Sequence, residues 1–80
     1  MSRTTMTEAA VVAVILETWR EAYPETLKGI PEQAVMSAAR SRAKLAEMEM
    51  ETVMEGGMLE TREQAWGSVA PMFLDHPPVF

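Results

Sequence analysis

The chain contains no cysteine. That excludes a disulfide framework and any metal site built on thiolates. It also suits a reducing, cytoplasmic setting. Aromatic residues make up only 6% of the chain. No long apolar run is present either: the longest, Ala9 to Leu16, lies between Glu8 and Glu17. A membrane-spanning helix needs about 20 apolar residues, so no membrane segment is expected. A secretory signal fits poorly, because only Arg3 supplies positive charge at the amino end and Glu8 interrupts the approach to the apolar run.

The apolar content is 48% and comes largely from Ala, Val and Met. This is too apolar for a wholly disordered chain. Its small side chains favour close contact between helices. Eighty residues make one domain at most, spanning 1–80. A domain of this size buries only roughly 60–65% of its unfolded surface. It therefore needs very regular helix packing or a partner.

The net charge of −5 is unevenly placed. Glu47, Glu49, Glu51, Glu55, Glu60 and Glu63 face Arg62 alone within residues 47–63, and the remainder of the chain is neutral. Concentrated acid attracts basic surfaces and repels phosphate. Direct nucleic-acid binding draws its affinity from Lys and Arg, so it is disfavoured. A solvated helix face is the simpler account of such a charge run.

The order of residues predicts an all-α fold. Two longer helices over about 6–23 and 31–55 precede a short third over 62–70, and a tail follows over 71–80. Thr5 and Glu8 have capping-box spacing at the first start. Val12, Ile15, Leu16, Trp19, Ala22 and Tyr23 then mark a buried side, and Pro24 ends the helix. Residues 25–29 read as a linker with room for one short turn. Pro31 suits the first position of the second helix, and Gly56-Gly57 suits its left-handed cap. Thr61 and Gln64 repeat the capping spacing. Ala65, Trp66, Val69 and Phe73 share a face of the third helix, which Gly67 weakens and Pro71 kinks or interrupts.

Met36, Ala39, Ala43, Ala46, Met50 and Val53 recur at alternating intervals of three and four along the second helix. That is an a/d-type seam, widened by Val35, Ala38, Leu45 and Met54. Its partner is either the first helix or a second copy of the chain. Ser37, Arg40, Ser41, Lys44, Glu47, Glu51 and Glu55 line the opposite side. The acids lie toward the end of this helix, where the macrodipole is negative and each exposed mismatch costs a few tenths of a kcal/mol. Glu47, Glu51 and Glu55 also repel one another at i,i+4 spacing. Local conflicts of this kind point to a functional surface.

Catalytic and metal chemistry find little material. His76 is the sole histidine, and adjacent Asp75 cannot give it triad geometry. One helix face of glutamates offers too few oxygens for calcium. No cofactor, metal or catalytic group is expected. A helix-turn-helix reading leaves only Arg62 and Gln64 as base readers, in acidic surroundings. Trp19, Tyr23 and Trp66 read as core anchors, with Trp66 also a candidate contact residue. Met50 and Met54 read as core, and Met48 and Met58 as edge residues suited to contact. The tail Pro77-Pro78-Val79-Phe80 is either a short peptide ligand or a cover for a thin core.

In size, lack of cysteine and localised acid, the chain resembles small phage-encoded or mobile-element inhibitors of host machines, anti-CRISPR proteins among them. The resemblance rests on composition and assigns no residue a role. Two expectations follow. One is a non-catalytic module that binds a protein with a basic surface through Glu47, Glu49, Glu51, Glu55, Met58, Glu60, Glu63 and Trp66. The other is a structural subunit that forms a homodimer through the Ala/Met seam.

Overall fold

A computed structural model describes residues 7–57 and 61–78. The described residues are all-α, with helices α1 (Glu8–Ala22), α2 (Pro24–Leu27), α3 (Glu32–Glu55) and α4 (Arg62–Phe73). The 24 residues of α3 span about 36 Å at 1.5 Å per residue. That is most of the 42 Å long dimension of the molecule. The principal helix contacts are α1 with α3 and α3 with α4, so α3 is the spine against which both neighbours lie.

Thr7 caps α1, in place of the expected Thr5, which lies outside the described residues. Its backbone is extended and its hydroxyl accepts from the Ala10 N–H at 3.1 Å. This choice puts Glu8 in the first turn, where the macrodipole favours a carboxylate. The buried face is Val11, Ile15, Leu16 and Trp19. Ile15, Leu16 and Trp19 are buried as the periodicity suggested, while Val11 is buried in place of Val12, Val12 and Tyr23 are half-buried, and Ala22 is exposed. The region read as a linker holds the single turn α2, which Pro24 opens.

Pro31 is the N-cap of α3, one position before its expected place, with φ −57° and ψ 140°. The Pro31 carbonyl accepts from Ala34 and Val35 at 3.0 and 3.2 Å. At the far end Gly57 takes φ +79°, and its N–H donates to the Met54 carbonyl at 3.0 Å. A Cβ at Gly57 would meet nothing within 4 Å, so only backbone conformation opposes a side chain there. Gly57→Ala should therefore cost about 1 kcal/mol and lower the melting temperature by about 4–8 °C, read by circular dichroism.

The capping box of α4 is formed. The Gln64 N–H donates to Thr61 Oγ1 at 3.1 Å, and the Thr61 N–H donates to Gln64 Oε1 at 3.2 Å. The helix runs past the expected residue 70 to Phe73, with Pro71 inside it. Proline lacks the N–H that would reach the Gly67 carbonyl. The ladder continues beyond it, with Leu74 donating to Ala70 at 2.9 Å.

Two apolar clusters flank α3. The first joins Val11, Ile15, Leu16 and Trp19 of α1 to Val35, Ala39, Ala43 and Ala46. The second joins Met50 to Ala65 and Val69 of α4. Half-buried Trp66 and Phe73 pack against both. Ala39, Ala43, Ala46 and Met50 are all 0% exposed. The seam is thus filled by the chain's own α1 and α4, because alanine lets these helices approach closely. Its central residues are buried within one chain.

The tail is not simply extended. Its described part folds back over the first cluster, with Leu74 packed against it and Pro77 buried. Trp19 Nε1 donates to the Asp75 carbonyl at 3.0 Å, and Arg42 Nη1 pairs with Asp75 Oδ1 at 2.7 Å. The Arg42 guanidinium also stands 5.4 Å over the Trp19 ring. Val79 and Phe80, which were expected to cover the core or serve as a ligand, lie outside the described residues.

Candidate functional site

Six of the eight residues expected to bind a partner are described, and they stand in different settings. Glu47 pairs with Arg62, whose Nη2 lies 2.7 Å from Glu47 Oε2. This pair ties α3 to the first turn of α4 and is mostly shielded, with side-chain exposures of 20% and 33%. Glu63 sits in the first turn of α4, where the macrodipole favours it. Trp66 packs into both clusters. Met58 and Glu60 lie outside the described residues. Glu49, Glu51 and Glu55 remain together on the second half of α3, with Glu51 and Glu55 exposed and Glu49 half-buried.

Beside these acids is an apolar feature that the periodicity misplaced. Leu45, read as widening the buried seam, is 56% exposed, and Met48 is 64% exposed. With Glu49 and Thr52 of α3 and Phe73 of α4 they line an open groove of about 340 Å³. Phe73 forms its side wall because Pro71 does not end α4. Had the helix stopped at residue 70, the ring would belong to the tail. The Thr52 hydroxyl donates to the Met48 carbonyl at 3.0 Å, so it brings no unpaired hydroxyl to the groove. Met48 was expected to be a contact residue, and its exposure is consistent with that. Leu45, Thr52 and Phe73 were missed. Their signal is the i, i+3, i+7 spacing of Leu45, Met48 and Thr52, away from the seam.

Among the described residues the groove is lined by a single carboxylate, Glu49, and by no histidine, serine or lysine. Among the described residues no three His, Asp or Glu side chains gather as metal ligands. His76 is exposed, and its Nδ1 lies 3.1 Å from the Pro77 carbonyl. The two base readers of the helix-turn-helix reading are already engaged, Arg62 with Glu47 and Gln64 in the capping box. No helix among the described residues is long and apolar enough to cross a membrane.

No protein-family model matches the chain, and no curated protein or solved structure matches it.

Proposed function

We propose that this chain is a non-catalytic helical module that docks onto a basic protein surface through the second half of α3. One observation carries the reading. Glu49, Glu51 and Glu55 crowd the end of α3, whose last turn holds no basic residue, beside the exposed Leu45 and Met48. A helix selected for its own stability would place Lys or Arg there and would not expose leucine and methionine side by side. Both departures are relieved by a partner that supplies positive charge and apolar cover. Inhibition of a nucleic-acid-handling machine, in the manner of small phage proteins, is one concrete form, since a row of carboxylates competes for surfaces built to hold phosphate.

The test is a titration. A partner retained from the native cell extract is purified and bound to the wild type and to the Glu49→Gln/Glu51→Gln/Glu55→Gln variant. We expect the variant to bind about tenfold more weakly and to lose most of its salt dependence, as rim charges govern steering and screening. Equal affinity at every salt concentration would remove the acidic face from the interface. Glu47 is left out of this variant because its carboxylate ties α3 to α4 through Arg62.

A further inference from the structure

Leu45, Met48, Glu49 and Thr52 stand at i, i+3, i+4 and i+7 of α3. That is the four-residue diamond into which one side chain of a facing helix inserts in knobs-into-holes packing. The same geometry inside this protein is occupied by its own helices. Here the diamond is open, walled on one side by Phe73 and exposed at Leu45 and Met48.

We infer that this hole seats one apolar side chain of a cationic amphipathic helix belonging to another protein. The inference rests on the docking reading above and names the form of the partner. Charge complementarity selects the occupant. Glu49 is one corner of the diamond, and exposed Glu55 continues the stripe from Met48 at i+7. A helix whose apolar knob enters the hole brings its neighbouring positions against these carboxylates, so those positions carry Lys or Arg. A second copy of this chain would bring Glu49 against Glu49 in a protein of net charge −5, and like charges so placed are destabilising. The helical form follows from the spacing: an extended strand presents side chains every second residue on one face, out of step with a single diamond on a helix. Leu45 to Thr52 covers about two turns, less than a standard interface needs. Isolated binding should therefore be weak, with a Kd of roughly 10–100 μM, corresponding to about 5.5–7 kcal/mol.

The probe is a synthetic helix of about four turns, with leucines at i, i+3/i+4 and i+7 and lysines on its other faces. A shuffled peptide of identical composition, whose leucines no longer share a face, accompanies it. Each is titrated into the isotopically labelled full chain by NMR. We expect the ordered peptide to bind at least about tenfold more tightly than the shuffled one, about 1.4 kcal/mol. Amide shifts should centre on Leu45, Met48, Glu49, Thr52 and Phe73. Leu45→Ser with Met48→Ser, both at exposed positions, should erase that preference without unfolding the chain. Equal binding of the two peptides, still sensitive to Glu49→Gln/Glu51→Gln/Glu55→Gln, would overturn the helix inference and leave acidic docking standing. Shifts elsewhere on the molecule, or no binding by either peptide, would also overturn it, while the titration of the native partner judges the docking reading separately.

Discussion

Trp19→Ala should remove about 3–5 kcal/mol, a quarter or more of the chain's folding free energy. Trp19 is the largest fully buried side chain, at 0% exposure. Removing a buried tryptophan typically costs about 3–5 kcal/mol. A domain of this length holds only about 4–12 kcal/mol in total. The residue also anchors the tail through the Asp75 carbonyl at 3.0 Å and carries the Arg42 guanidinium over its ring. Trp19→Phe separates these contributions. It keeps an aromatic ring in the cluster but deletes the indole donor to the Asp75 carbonyl, at about 0.5–1.5 kcal/mol. Urea unfolding followed by circular dichroism should rank the wild type above Trp19→Phe and both well above Trp19→Ala. If Trp19→Ala unfolded within about 1 kcal/mol of the wild type, the first cluster would not be the centre of stability. That margin is far below the cost of a cavity this large.

Ala43→Glu should abolish cooperative folding instead of dissociating an oligomer. Ala43 is 0% exposed, and among the described residues no buried polar or charged group is present to receive a carboxylate. An uncompensated buried charge costs several kcal/mol, and the longer side chain also overpacks the α1–α3 contact. Lys44→Glu, the adjacent exposed position, changes the charge in the same direction and should stay within about 0.5 kcal/mol of the wild type. Circular dichroism and molar mass are measured together on both variants. A folded Ala43→Glu chain of reduced mass would place the seam between copies, contrary to its burial within one chain.

The periodicity of α3 made its buried side legible, because alanines recurring every three or four residues leave little choice about which face meets another helix. The caps were readable for the same local reason at Thr61, Gln64 and Gly57. They were not at Thr5, because Thr5 and Thr7 are equally able to cap and only the register of Val11 and Ile15 against α3 decides between them. At Pro71 the expected end of the third helix, residue 70, falls three residues before the observed one, Phe73. The proline's one missing hydrogen bond is outweighed by the packing of Phe73 against both clusters, a tertiary gain with no local signature. The candidate site was half visible. Charge density located the acidic end of α3, yet not which acids were already engaged. Glu47 and Arg62 are 15 residues apart, and their pairing depends on how α4 returns along α3. The exposure of Leu45 was hidden for the opposite reason: an apolar residue near a seam reads as core until the width of the covering helix is known.

The tail contact bears on the order in which the chain assembles. α1 meets α3 and α3 meets α4 as close neighbours along the sequence, an arrangement of local contacts that favours rapid folding. The bond from Trp19 to Asp75 spans 56 residues and is the longest loop closure among the described hydrogen bonds. Each doubling of loop length adds only about 0.6 kcal/mol of entropy, and that cost falls on one hydrogen bond, one ion pair and the packing of Leu74 and Pro77. The helices therefore form their hairpins first and the tail closes over a core already in place. On that order the indole of Trp19 gains its acceptor only when the tail closes, after the helices have buried the ring.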